Sequence, residues 1–212
     1  MPESTGGEVL PADLAVRLEQ GGALTILGLG DSLTHGWMVR RGFFDRACDA
    51  LVARQPALTL TRINAGVPGD TAFGGLGRVG PMLAHEPDIV LIQFGLNDCF
   101  SGERADVYRR NLGRIVSAVV KRGAHPVLVT SCPLASPGAM RLAAPFFEAM
   151  RAFGEAERVM LADTCAHWLD AEARGEVPDY LWQPDGVHPT DNGHALMASG
   201  LVEALLWSGL AS

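Results

Sequence analysis

The stretch GLGDSLTHG, residues 28–36, follows directly on the apolar run LTIL, residues 24–27. Glycines at the end of a strand either cradle a phosphate or shape a turn that presents a side chain, and the two imply unrelated chemistry. The dinucleotide fingerprint needs a third glycine where Leu33 stands. A Walker loop needs a lysine, and this stretch has none. The Gly-x-Ser-x-Gly elbow fails as well, because Thr34 occupies the place of its second glycine. What remains is Ser32 at a strand-to-helix turn. It is either a helix cap, which serine makes well, or a presented nucleophile, and only the rest of the chain decides between them.

Working outward, short apolar runs recur at residues 24–29, 58–63, 89–94, 127–130 and 159–162. Each reads as too continuously apolar for a sheet with one wet face, which is the pattern of parallel strands covered on both sides. Between them Tyr108, Leu112, Ile115, Val116 and Val119 form a helical stripe, and Met197, Leu201 and Leu205 mark another. About five β-α units follow one another without a repeat, a low-complexity tract or a linker. The expected architecture is one three-layer α/β domain over residues 1–212, with residues 1–22 as a lead-in segment. Ligands of such sheets bind at the carboxyl ends of the strands.

The composition narrows the functional classes. With 212 residues and 48% hydrophobic content the chain can bury a sizeable core, and a net charge of −7 argues against a nucleic-acid surface. Cys48, Cys99, Cys132 and Cys165 lack Cys-x-x-Cys spacing and read as free thiols, mostly buried, with no zinc. No apolar run reaches the roughly 18 residues of a membrane span. The N-terminal stretch lacks a basic region followed by an apolar one, so the cytoplasm is the expected location. A homo-oligomer is left open by the apolar tail at residues 205–210.

Four strand ends carry candidate chemistry. The first presents Ser32. The second ends in NAGVPGDT, residues 64–71, where Pro68 and Gly69 occupy the centre of a type II turn. Such a turn requires φ > 0 at Gly69 and leaves its N–H free to point outward, as an oxyanion donor would; an ordinary surface turn is the plainer reading. The third ends in QFGLNDCF, residues 93–100, where the Asn97 amide can donate to an oxyanion or simply close an Asx turn, and Asp98 reads as an acceptor fixing the loop. Near the C-terminus, DGVHPTDNGH spaces Asp185 and His188 three residues apart. That spacing lets the carboxylate fold back on the imidazole and fix its tautomer, leaving Nε2 free to accept a proton. Asp163 is a rival carboxylate without a histidine at such a spacing, and His35, His85, His125, His167 and His194 read as surface residues.

Together these features supply a nucleophile, oxyanion donors, a base and its orienter at one end of a sheet. In that order GDSLT at residues 30–34, Gly69 after Asn64-Ala65-Gly66, Gly95-x-Asn97-Asp98 and Asp185-x-x-His188 resemble the four blocks of the SGNH hydrolase (GDSL lipase/esterase) superfamily. The likeness runs from about residue 24 to about residue 206. It implies a flavodoxin-like α/β/α sandwich with five central parallel strands, and cofactor-free, metal-free ester hydrolysis through an acyl-enzyme. By resemblance Ser32 is the nucleophile, and the Ser32 and Gly69 N–H groups with Asn97 form the oxyanion hole. His188 is then the general acid/base and Asp185 its orienter.

The expected substrate is a small-molecule carboxylic ester or thioester with a short acyl chain; a carbohydrate O-acetyl ester is the alternative, and a non-catalytic binding module on the same fold is the reading from another class. Residues 134–150 read as an amphipathic helix, with a mobile apolar lip as the alternative. Trp182 either stacks on a sugar ring or packs the Asp185–His188 loop against the body.

Overall fold

The computed structural model describes residues 9–207. Five parallel strands, β1 (Gly22–Gly30), β2 (Leu58–Gly66), β3 (Ile89–Gln93), β4 (His125–Val129) and β5 (Met160–Ala162), form one sheet in the order β2-β1-β3-β4-β5. The helices are α1 (Ala12–Gln20), α2 (Ser32–His35), α3 (Phe43–Arg54), α4 (Ala72–Leu83), α5 (Leu96–Phe100), α6 (Ala105–Lys121), α7 (Pro137–Glu157), α8 (Thr164–Ala173) and α9 (Asp191–Trp207). The sheet is covered on both faces, as the apolar runs imply, and the strands fall within a few residues of the expected runs.

Side chains alternate along each strand between two cores. Leu24, Ile26, Ile89, Leu91, Val127 and Val129 pack with residues of α1, α3, α8 and α9, whereas Leu27, Leu29, Val90, Ile92 and Leu128 pack with α4, α6 and α7. All five residues of β3 are buried, so each large aliphatic side chain there contributes about 1.5–3 kcal/mol of burial.

One expectation, for β2, needs correction, and two segments gain definition. The lead-in at residues 1–22 contains a helix, α1, whose Leu14 and Leu18, with Leu10 before it, sit at i, i+4 spacing and close the core beneath β1. Strand β2 is not dry on both faces. It is the sheet edge, paired only to β1, and Thr59, Thr61 and Arg62 are exposed there. Arg62 pairs with Asp49 of α3, and a charge on an edge strand discourages further strand pairing. Of the apolar tail, Leu205 is buried against the core, and residues 208–210 lie outside the described residues.

The register brings three strand ends level. Gly30 is paired to Gly66 on one side and Gln93 on the other, so the loops after β1, β2 and β3 depart from one row. The chain turns to one side of β1 to make β2 and to the other to make β3 and β4. The crevice outside β1 and β3 is therefore the switch point where such sheets bind ligands.

Candidate active site

Ser32 is the first residue of α2, and the Asp31 carboxylate caps that helix by accepting the Leu33 N–H at 2.9 Å. The cap role belongs to Asp31, which frees the Ser32 hydroxyl. The Ser32 Oγ lies 3.0 Å from His188 Nε2, and His188 Nδ1 lies 2.7 Å from Asp185 Oδ2. The other carboxylate oxygen, Oδ1, accepts the backbone N–H groups of Val187 and His188, each at 2.9 Å. One short loop thus holds the carboxylate on the imidazole. With Nδ1–H committed to Asp185, the lone pair of Nε2 faces the serine. Partial burial pushes the Asp185 carboxyl up, but the His188 and backbone bonds outweigh it and hold it below the usual carboxylate range.

The loop is fixed to the body from several sides. Trp182 Nε1 donates to the Pro133 carbonyl at 2.8 Å, its ring lies 5.1 Å from that of Trp168, and Ala135 N–H donates to Gly186. Trp182 therefore packs the loop, the second of its two expected roles. The Cys132 thiol adds a contact to the Val187 carbonyl at 3.4 Å.

The second and third strand ends meet through Asn97. In the turn after β2, Asp70 N–H bonds the Val67 carbonyl at 3.0 Å and Gly69 has φ +81°, the type II geometry. The Gly69 and Ser32 N–H groups meet no acceptor among the described residues. Asn97, on α5, donates one Nδ2 hydrogen to the Asp70 carbonyl at 2.9 Å and keeps the other. Asp98 accepts the Ala72 N–H with both oxygens, at 3.1 and 3.2 Å, which is the loop-fixing role expected of it. Asp163 is engaged by Arg151 and caps α8.

Ser32, Asn97, Asp185 and His188 line one cavity of about 200 Å³ together with Leu33, Leu96, Phe100 and Val187. Gly69 is not among its lining residues and joins them through the Asp70–Asn97 bond. A wider open groove of about 1850 Å³ lies between α1 and α6, but its Ser117 hydroxyl is taken by the Gly113 carbonyl of the same helix. No group of three or more His, Cys, Asp or Glu among the described residues is arranged to hold a metal ion, and no helix among them is long and apolar enough to cross a membrane.

Sequence reasoning missed three features. Asp31 is buried beside the nucleophile, and burial pushes its carboxyl up to about 7 against the bond from Leu33. Arg78 reaches from α4 to the ends of β1 and β2. His194 is fully buried, contrary to its surface reading: its Nδ1 accepts the Phe43 N–H at 3.1 Å, and its ring stacks on Phe43. The signal for His194 is its place within the apolar stripe of α9, four residues before Ala198.

A sequence profile for GDSL-like lipases and acylhydrolases matches residues 29–196. The chain belongs to that family. It is accordingly a carboxylic-ester hydrolase. Among curated relatives, an arylesterase of Vibrio mimicus is 27% identical over 184 residues, 85% of this chain and 88% of the relative. The esterase TesA of Pseudomonas aeruginosa is 28% identical over 187 residues, 83% and 85% of the two chains. Among solved structures, a variant of an acetylxylan esterase from Geobacillus stearothermophilus superposes with a TM-score of 0.77 at 21% identity, covering 88% of this chain and 96% of that one. That likeness shows the shared fold.

Proposed function

We propose that Ser32 is the acylated nucleophile of this hydrolase, with His188 as acid/base, Asp185 as its orienter, and the Ser32 N–H, Gly69 N–H and Asn97 amide as the oxyanion hole. The observation that carries the reading is the unbroken run of bonds from Asp185 through His188 to Ser32, at 2.7 and 3.0 Å. In acylation the Ser32 hydroxyl proton passes to His188 Nε2 as Oγ bonds to the ester carbon. The carbonyl electron pair becomes an oxyanion facing the three donors, and collapse expels the alcohol, which takes the proton back from Nε2. Water then repeats the sequence on the acyl-enzyme and releases the acid. Preorganised donors of this kind are worth about 3–4 kcal/mol each in the transition state, and the positioned base about 10²–10⁴ in rate.

The cavity supports a short acyl group, since about 200 Å³ is smaller than the roughly 300–1,000 Å³ of sites for drug-sized ligands. A sugar acetate remains the alternative, but the Trp182 ring is committed to Trp168 and Pro133 and lends it no support. A serine-directed phosphonate should add mass to wild type at Ser32, and Ser32→Ala should stay folded and lose turnover of p-nitrophenyl acetate. Labelling of the alanine variant at the same loop would overturn the assignment. Rates across esters from acetyl to long acyl, with acetylated sugars alongside, give the acyl preference.

A further inference from the structure

We propose that Arg78 is a positioning residue for the oxyanion hole, tying the strand end that carries Ser32 to the turn that carries Gly69. The inference rests on the assignment of Ser32, Gly69 and Asn97 given above. Arg78 lies in the second turn of α4, and its side chain runs back toward the helix N-terminus, as helical side chains do. Its planar fork meets three acceptors, two strand-end carbonyls and one side-chain carboxylate. Nη2 donates to the Gly30 carbonyl at 2.8 Å, Nη1 to the Ala65 carbonyl at 2.6 Å, and Nε to Asp70 Oδ2 at 2.7 Å.

Each acceptor is one step from the hole. Gly30 precedes Ser32 by two residues at the end of β1. Ala65 and Asp70 lie on either side of the Gly69 turn, and the Asp70 carbonyl accepts the Asn97 amide. The same helix is fastened at its start, where Asp98 accepts the Ala72 N–H. The loops after β1, β2 and β3 are thus joined through α4, and one guanidinium adds two bonds between the first two, beside those of the Val67 N–H to Gly30 and the Asn64 amide to Thr34. The Gly30 carbonyl also accepts the Val67 N–H at 3.0 Å, so the guanidinium takes its second lone pair, and Ala65 lies on the edge strand, whose outer side has no strand to bond. A charged planar fork matches three fixed acceptors, which a single ammonium cannot do. The pair with Asp70 is largely withdrawn from solvent, with 24% and 12% of the two side chains exposed.

Displacing a catalytic group by about 1 Å costs about 10²-fold in rate. Arg78→Ala should therefore lower kcat on p-nitrophenyl acetate, per active site titrated with phosphonate, by about 10²-fold with KM within about twofold. Its affinity for a boronic acid that mimics the tetrahedral intermediate should fall by a similar factor. Guanidinium ion at millimolar concentration should restore part of the lost kcat by refilling the vacated fork site. Arg78→Lys should lose about tenfold and show no response to guanidinium, since its ammonium reaches part of the acceptors and blocks the space. A merely structural role would lower thermal stability and the titratable fraction while leaving kcat per titrated site at the wild-type level. That result, or a change confined to KM, would overturn the proposal. If the alanine variant does not fold, kcat at the wild-type level in folded Arg78→Lys overturns it equally. Ser32→Ala, run alongside, reports on the underlying assignment: if it keeps turnover, the assignment itself fails, whatever Arg78 does.

Discussion

Replacing His194 with asparagine should flatten the loss of stability that the wild type shows on acidification from pH 7 to pH 4.5. His194 is fully buried, and its Nε2 meets no protein partner. Burial foremost, with Arg46 beside it and against the pull of Asp191, lowers its pKa from 6.5 to about 4. The unfolded chain therefore takes up a proton as pH falls through about 6.5, and the folded chain does so only near 4. Between those values the unfolded state binds more protons, so stability falls as pH falls. The gap of about 2.5 units, at about 1.4 kcal/mol each, gives about 3.5 kcal/mol in full and between 2 and 3 by pH 4.5. Asparagine offers an oxygen near the place of Nδ1 for the Phe43 N–H and does not titrate. Asp31 and Asp98, whose buried carboxyls are raised to about 7 and about 6, act in the opposite sense, with stability lost as pH rises. They act equally in both proteins and cancel in the difference. Urea unfolding of the two proteins at several pH values between 7 and 4.5 measures that difference. Curves that stay parallel to within about 0.5 kcal/mol would refute the reasoning.

Asn97→Ala removes an oxyanion donor and the strut to Asp70, so kcat should fall by about 10²–10³ while KM changes little; steady-state kinetics showing a rise in KM alone would return Asn97 to a turn role. Asp185→Asn leaves an amide able to donate to Nδ1 and favours the wrong imidazole tautomer, so kcat should fall by roughly 10⁴-fold with the fold retained, as seen by circular dichroism.

Much of this was legible because local rules and the global fold agree. The runs that became β1, β3, β4 and β5 are apolar because both faces are covered, and the Asp185–His188 spacing carries its own geometry in one loop. Strand β2 was misjudged because position at a sheet edge is a property of topology, and Thr59 and Thr61 suit a half-wet strand as well as a dry one. The α1 stripe of Leu10, Leu14 and Leu18 was visible in the sequence, but it reads as a core element only once something is known to cover β1. Arg78 and His194 escaped for a common reason. Each has a partner far along the chain, Gly30 at 48 residues from Arg78 and Phe43 at 151 from His194, and no spacing rule reaches so far.

The bond between Ser32 and His188 spans 156 residues of sequence. A chain in which the first β-α units have formed but the last loop has not docked holds a nucleophile without its base. Recovery of turnover during refolding is therefore a clock for the slowest long-range closure in the molecule, and it should lag far-ultraviolet ellipticity, which the local helices restore first. Esterase activity, easily followed in a cuvette, thereby doubles as a reporter of when the two ends of the fold have met.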